Sequence, residues 1–543
     1  MRPTIRSIIL ALMLGALLAP AAQASPQQTS IMMDDDLLVY RSDSVAARTL
    51  TQMKSLGVDT IRVTVLWKIV AEGARPTKGE LAKLKGRAKE RARKQLRRFK
   101  AGDPRTYPRQ NWDRYDNLVK AAGDRGIRVY FNITGPGPVW AQTTPPKKLR
   151  SLLATYKPKA GAFKQFVTAV GRRFDGAYRD ENASRGVLPR VSFWSLWNEP
   201  NQGGWLSPQW ETRGGQKVAT SPSIFRELHH FGYQGLVASG HAGDAVLLGE
   251  TAPLGSDKKT EKSPMRPKQF LRELFCIQPD GTPYSGAAAR LRDCGDFANR
   301  GPLRATGYAH HPYTKNVPPT VRDANPDSLT MANIDELGTL LDDLAARTNS
   351  VQSGLPLFMT EFGFETNPPD PFSGVPLASQ AKFNTIGEFM AWQNPRILSQ
   401  AQFLLADVPP IRQRRKGSKG YWFTYQSGLF FQRGQPKQAA FTYTMPFLAL
   451  PAGVDEATGA PVFNLWGQLR FLPNGTQDVV HIQWRPKDGS SEWIDVGDPV
   501  AIDLLGYFTA PRVAPAAVPS EWRAAWLPPD GGPPQVSAGS DGT

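Results

Sequence analysis

A chain of 543 residues is long enough for more than one domain, although α/β barrels also run long as single units. Its 40% hydrophobic content supports a sizeable core, and no internal stretch is long and apolar enough for a helical membrane span. The net charge is +18, and much of it is local: between Lys83 and Lys100 lie ten basic residues and one acid, Glu90.

The N-terminus carries Arg2 and Arg6, an apolar run over residues 8–18, and Ala22-Gln23-Ala24 before Ser25. Charged start, apolar middle and a small-x-small site predict a secretory signal peptide over 1–24 and an extracellular protein beginning near Ser25. No cysteine follows the cleavage site, which argues against a lipid anchor. Strand and helix patterns then alternate. Residues 31–40, with Asp34, Asp35 and Asp36, predict a first strand, and 42–56 its helix, stopped by Gly57. The β-branched run 58–67, which contains Arg62, predicts the second strand.

A basic insertion occupies about 75–105. Its apolar residues Leu84, Ala88, Leu96 and Phe99, with Ala92, follow a helical stripe, which predicts a basic amphipathic helix or a solvated insertion. Nucleic-acid binding is the sharper alternative. For an exported chain, an anionic cell-wall polymer or acidic polysaccharide is the natural partner, and no nucleic acid is expected.

Helix 112–124 and strand 128–133 follow, then the loop Gly135-Pro136-Gly137-Pro138. Helix 160–178 leads to a fourth strand from Val191. Ser221 or Ser223 caps a helix to about Val237, and 245–249 is strand five, ending at Glu250. Strand six (304–308) runs into His310-His311-Pro312-Tyr313; helix 331–348, strand seven (356–360), helix 377–393 and strand eight (397–405) complete the series. Alternation implies a parallel sheet, and eight rounds imply closure into a (β/α)8 TIM barrel over 25–450.

Past Ala449 the texture changes. Short strand-like pieces at 462–466, 477–484, 493–496 and 500–505 predict a small antiparallel β-sandwich domain over 451–527. Trp466, Trp484, Trp493, Trp522 and Trp526 fit its core better than a sugar-binding platform. Residues 528–543, rich in Pro, Gly, Ser and Asp, predict a disordered tail. Cys276 and Cys294, the two cysteines, predict a disulfide in an exported chain, ahead of a zinc site or a nucleophile.

Two of the predicted strands end in chemistry. Strand four delivers Asn198-Glu199-Pro200-Asn201, and strand seven delivers Thr360-Glu361-Phe362-Gly363. A glutamate that caps the next segment, with Pro200 ending the strand, is the plain alternative. Two carboxylates meeting across a barrel are the arrangement glycoside hydrolysis needs. Glu250, Glu365 and Asp34, Asp35 and Asp36 are the rival carboxylates, Glu250 the strongest because it also closes a strand.

Trp197-Asn198-Glu199-Pro200-Asn201, His311-Pro312-Tyr313, Thr360-Glu361-Phe362-Gly363 and Arg62 together resemble the retaining glycoside hydrolases of clan A, nearest the cellulase-like family 5 and the β-xylosidase-like family 39. The resemblance implies Glu199 as general acid/base and Glu361 as nucleophile. It implies Asn198 on the sugar 2-hydroxyl, Tyr313 bonded to the nucleophile, His311 on substrate or acid, and Arg62 supporting the nucleophile's charge. The substrate would be an oligo- or polysaccharide, with no metal or organic cofactor. The chain departs from the pattern where it has Asn132 at the end of strand three and offers Trp422 beyond a basic loop in place of a strand-eight tryptophan. A non-catalytic carbohydrate or cell-wall binding protein on the same barrel is the alternative function.

Overall fold

The computed structural model describes residues 28–183 and 186–542, so the expected signal peptide over 1–24 lies outside the described residues. Eight parallel strands close into a barrel: β1 (Thr29–Met33), β2 (Thr60–Leu66), β3 (Arg128–Thr134), β4 (Phe193–Leu196), β5 (Ala245–Thr251), β6 (Gly307–His310), β7 (Leu357–Met359) and β8 (Ile397–Phe403). Each pairs with its chain neighbour and β8 pairs with β1, which is the predicted (β/α)8 barrel.

Local chemistry trims the predicted elements. β1 stops at Met33 because the Asp34 carboxylate accepts the Leu37 N–H at 3.1 Å and starts the short helix Asp35–Leu38. The helix Ser221–Val237 has Thr220 at its cap position, so neither expected serine caps it: Ser221 Oγ donates to Gln209 Oε1 at 3.0 Å, and Ser223 Oγ to the Thr220 carbonyl at 3.1 Å. Cys276 and Cys294 form the expected disulfide.

Alternation along the strands sorts side chains between two environments. Val63, Val65, Phe131, Ile133, Trp194 and Leu196 are buried in the large core shared with the helices. Tyr130, Leu247 and Ala309, with Phe193 and Phe358 against them, form a separate apolar layer inside the barrel. Phe193 stacks on Tyr130 at 4.2 Å and meets Phe358 edge-on at 5.6 Å. This layer is a floor, and polar side chains collect above it toward the strand C-termini.

The C-terminal region is antiparallel. β9 (Phe447–Val454) and β10 (Pro461–Gln468) share one sheet with a strand at Tyr507–Val513, and a second sheet is built on Val479–Pro486 and Ser520–Trp526. The sandwich therefore begins before residue 451. The stretch expected as a disordered tail instead supplies an edge: Gln535–Val536 pairs with Ala525 and Trp526, and Ser540 exchanges backbone hydrogen bonds with Trp522. Trp484, Trp522 and Trp526 are core. Trp466 is buried against Phe389 and Trp392 of the barrel helix Leu377–Gln393, and Trp493 lies between the Arg485 and Arg523 guanidiniums at 4.4 and 4.3 Å.

The basic insertion folds as the helices Lys78–Lys83 and Gly86–Arg98. The second buries Ala92, half-buries Leu84, Ala88, Leu96 and Phe99 around it, and leaves almost all its basic side chains exposed. Phe99 packs edge-on against Trp140 at 5.4 Å, and Gln95 Nε2 donates to the Gly73 carbonyl at 2.6 Å. Because the insertion leaves the C-terminal end of β2, it belongs to the barrel face on which strand-end chemistry sits.

The sandwich docks on the opposite face, against residues that precede β1 and β2. Tyr507 OH donates to Gln28 Oε1 at 2.9 Å, Asn474 Nδ2 donates to Asp59 Oδ1 at 3.0 Å, and Arg470 pairs with Glu388 at 2.5 Å. Gly57 has φ +82° and touches this contact: a Cβ there would sit 1.9 Å from the Arg470 carbonyl oxygen. Gly57→Ala therefore forces both a left-handed alanine and a displaced interface. The expected loss is about 1–3 kcal/mol in chemical denaturation, with the far face of the barrel unaffected.

Candidate active site

Arg62 rises from β2 into the barrel above the apolar floor, in register with Met33 and Tyr130 on the flanking strands. Its guanidinium is almost wholly buried and is shared among three strand ends. Nη1 donates to Glu361 Oε1 at 3.0 Å; Nη2 donates to Asn198 Oδ1 at 2.7 Å and to Glu250 Oε2 at 3.0 Å. Burial opposes the charge, but the Glu250 and Glu361 carboxylates outweigh it and hold Arg62 charged.

Glu250, the strongest rival carboxylate, is only 1% exposed and both its oxygens are occupied. Oε2 accepts from Arg62, from His311 Nε2 at 2.7 Å and from Thr360 Oγ1 at 2.8 Å. Oε1 accepts from Ser195 Oγ at 2.6 Å and from the Tyr130 hydroxyl. Burial alone would raise its carboxyl, yet the Arg62 charge and the hydrogen bonds from His311 and Ser195 hold it well below the usual carboxylate range. It is a fixed anion beneath the site, with no oxygen left for a substrate.

The adjacent histidines divide sharply. His310 Nε2 faces the Leu329 carbonyl at 2.9 Å, and burial pushes its ring down to about 3, so it is neutral. His311 places Nε2 on Glu250 and Nδ1 3.0 Å from Glu199 Oε1, with Glu361 Oε2 3.6 Å away. Burial works against its charge as well. The Glu361 charge and the hydrogen bonds to Glu199 and Glu250 reverse that and raise it to about 10.

Glu199 and Glu361 reach the open cleft, their side chains 20% and 11% exposed against 1% for Glu250. Oxygens of the two carboxylates lie within 4.8 Å of each other. Tyr313 OH donates to Glu361 Oε2 at 3.0 Å, and burial keeps that phenol protonated. Burial also raises the Glu361 carboxyl, against the His311 and Arg62 charges. Glu199, His311 and Glu361 bring donor atoms together as a metal site would. His311, however, turns both ring nitrogens on carboxylates that favour its protonated form, which has no lone pair to give a metal.

The cleft has a volume of about 890 Å³ and is lined by Asp35, Asn198, Glu199, Trp205, Tyr313, Glu361, Glu365, Phe372 and Tyr425, with Lys315 and Lys419 at its exposed margin. Arg62 takes the Asn198 oxygen, so Asn198 offers the cleft its N–H donors. Asp35, a rival carboxylate, accepts the Thr64 N–H at 3.1 Å and faces the cleft from the end of β1. Asp34 spends its oxygens on the Leu37 and Ala406 N–H groups, both at 3.1 Å, and Asp36 pairs with Arg41 at 2.8 Å.

Two expected site residues sit elsewhere. Asn132 is fully buried; its Nδ2 donates to Ser195 Oγ at 2.8 Å and to the Trp197 carbonyl at 2.9 Å, bracing the end of β4 instead of meeting the cleft. Trp422 is not a lining residue and packs edge-on against Tyr421 at 5.1 Å. The aromatic that enters from this loop is Tyr425, edge-on to Phe403 at 5.1 Å. The sequence marked the aromatic run 421–425 but carried no period to say which ring turns inward. Thr360 was missed in another way, as a hydroxyl hidden beside the glutamate that drew attention.

No protein-family model and no curated protein matches the chain. Among solved structures it is similar to a family 39 glycoside hydrolase from the gut symbiont Bacteroides cellulosilyticus WH2, at 11% identity and a TM-score of 0.45, over 92% of this chain and 81% of that one. It is also similar to GH5_18 from Streptomyces cattleya (14% identity, TM-score 0.42, 77% and 78% of the two chains). An exo-β-1,4-mannosidase from Opitutaceae bacterium strain TAV5 aligns at 13% identity and a TM-score of 0.40, over 78% of this chain and 60% of that one.

Removing Arg62 would strand two buried carboxylates. Arg62→Ala is expected to cost about 3–5 kcal/mol in chemical denaturation, the range for breaking one side of a buried ion pair.

Proposed function

We propose that this protein is a secreted, retaining β-glycoside hydrolase that cleaves O-glycosidic bonds in an oligo- or polysaccharide. The observation that carries the reading is that one oxygen of Glu199 and one of Glu361 come within 4.8 Å of each other across the cleft, from the ends of β4 and β7. Double displacement needs carboxyl groups about 5–5.5 Å apart, whereas inversion leaves about 6.5–9.5 Å for a water.

In the first step an oxygen of Glu361 attacks the anomeric carbon as the glycosidic C–O bond breaks, and Glu199 gives its proton to the leaving oxygen. In the second, Glu199 takes a proton from water, the water oxygen bonds the anomeric carbon, and the ester to Glu361 breaks. Tyr313 and Arg62 each bond one oxygen of Glu361, which orients the nucleophile and spreads its charge. The Asn198 N–H donors fit a sugar hydroxyl beside the reacting carbon. Trp205, Phe372 and Tyr425 give the cleft apolar faces for sugar rings. Export rests on the leader pattern of residues 1–24. Among the described residues no helix is long and apolar enough to cross a membrane.

The test is hydrolysis of an aryl β-glycoside panel by wild type, Glu199→Ala and Glu361→Ala, each with added azide. Loss of the acid/base is expected to lower turnover by roughly 10²–10⁴-fold. Azide should rescue Glu199→Ala to a β-glycosyl azide and Glu361→Ala to an α-glycosyl azide. Both variants cleaving like wild type would remove the pair from the chemistry.

A second reading has its own observation. The helix Gly86–Arg98 presents a run of exposed basic side chains. It suits an anionic cell-wall polymer or acidic polysaccharide, either as an anchor for the enzyme or, in a non-catalytic protein, as the function itself. Retention on such a polymer should fall steeply with salt, and changing Arg91, Arg93, Lys94, Arg97 and Arg98 to Glu should abolish it. Salt-insensitive retention would assign the helix to solvent alone.

A further inference from the structure

Five ionisable groups are packed against one another at the top of the barrel: Arg62 from β2, Glu199 after β4, Glu250 in β5, His311 after β6 and Glu361 after β7. Two of these carboxylates open on the cleft, and the third does not. Glu250 takes no part in the proposed bond-making, yet it receives five donors: Arg62, Tyr130, Ser195, His311 and Thr360. A buried carboxylate is costly unless it is paired, so a site that keeps one out of reach of substrate has to use its charge.

We propose that Glu250 is a positioning residue that holds His311 as a fixed imidazolium between the two cleft carboxylates, so that one negative charge can pass between Glu361 and Glu199 while the buried cluster stays neutral. Because it concerns the same reaction, the inference rests on the hydrolase reading for its catalytic half only.

The geometry does this in two ways. His311 directs Nε2 at Glu250, which is fully engaged and cannot leave, and this fixes the ring so that Nδ1 points between Glu199 at 3.0 Å and Glu361 at 3.6 Å. Arg62 is held by the same Glu250 oxygen and reaches Glu361 from the other side. The charges then balance. With Glu199 protonated and Glu361 ionised, Arg62 and His311 are matched by Glu250 and Glu361. Once Glu361 is esterified and Glu199 has released its proton, the cations are matched by Glu250 and Glu199. Without Glu250 the cluster would carry an uncompensated positive charge in both states, and His311 is the group able to shed it.

Among the other groups facing the cluster, the two phenols and His310 leave this count unchanged. Tyr130 and Tyr313 stay protonated, since burial lifts both phenols well above their ordinary range. His310 is neutral. Asp35, at the start of the short helix after β1, lies near Arg62 and is raised by burial, against its bond from Thr64.

The experiment is an NMR titration of the His311 ring nitrogens in the full-length protein, assigned with His311→Asn, in wild type, Glu250→Gln and Ser195→Ala, with turnover measured in parallel. Wild-type His311 should stay charged across neutral pH and lose its proton near pH 10. Glu250→Gln keeps the shape and removes the charge, so the midpoint should fall by about 1–3 pH units. Turnover should fall at least about tenfold, since losing the Glu250 charge beside the two cleft carboxylates alters their balance by at least about one pK unit, a factor of ten in equilibrium, with KM little changed. Ser195→Ala removes a neutral donor to Glu250 and should leave the His311 midpoint in place.

A wild-type ring titrating near the ordinary histidine value overturns the proposal even if Glu250→Gln fails to fold. So does a Glu250→Gln protein with both titration and turnover unmoved. If His311 behaves as stated but wild type cleaves no glycoside, the charge arrangement stands and the hydrolase reading falls.

Discussion

The buried pairing of Arg62 with Glu250 is the interaction on which the site depends. Taking either charge out of water costs several kcal/mol, and an ion pair recovers that only when the remaining lone pairs and N–H groups find partners. Here nearly every one does. Glu250 is saturated by donors from β2, β3, β4 and the segments after β6 and β7, and Arg62 spends Nη2 on Asn198 and Glu250. Each bond ties a different strand end to one point. The cleft carboxylates therefore inherit their positions from a charge pair that never meets substrate.

The apolar layer of Tyr130, Phe193, Leu247, Ala309 and Phe358 beneath the pair is part of the same device. It closes the barrel from below, so the polar cluster meets water only through the cleft. Backbone geometry above it is correspondingly unusual. Trp197, Glu199 and Glu250 all have positive φ, at 81°, 39° and 53°. For residues with side chains such conformations cost on the order of 1–3 kcal/mol each and persist where neighbours over-determine them. The neighbours are visible: the Glu199 N–H donates to the Glu250 carbonyl at 2.9 Å, and the Trp197 carbonyl is held by Asn132. This is why Asn132 works one layer below the cleft.

The barrel was legible in the chain because its signals are local and repeated: β-branched runs, helical stripes and loops whose strands end in chemistry. Glu199 and Glu361 could be named because each follows a buried run, where a barrel exposes side chains; His311 and Tyr313 were named only through the resemblance of His311-Pro312-Tyr313 to a known family motif. Depth could not be read in the same way. Alternation from Leu247, which faces the barrel interior, would turn Glu250 outward; the register irregularity between Gly249 and Thr251 turns it in, and nothing in the residue types marks that irregularity or the depth at which the carboxylate stops. Irregular segments hid the rest. The loop with Trp422 and Tyr425 has no period to assign a facing ring. The strand Tyr507–Val513 contains Pro511, which usually argues against a strand. The Pro- and Gly-rich end lacks the composition of a strand, yet Gln535–Val536 pairs with Ala525 and Trp526.

The two ends of the barrel are committed to different tasks, and the aromatic side chains show the division. The sandwich covers the N-terminal face, and its tryptophans are spent on packing: three in its own core, Trp466 on the barrel helix and Trp493 between two arginines. None is left as a platform, and the whole domain lies on the far side from Glu199 and Glu361. Stacking surfaces for a sugar must therefore come from the barrel itself, where Trp205, Phe372 and Tyr425 border the cleft with Tyr313. The same logic separates the basic helix from the sandwich. Gly86–Arg98 follows the C-terminal end of β2, whereas the sandwich touches Gln28 and Asp59, which precede β1 and β2.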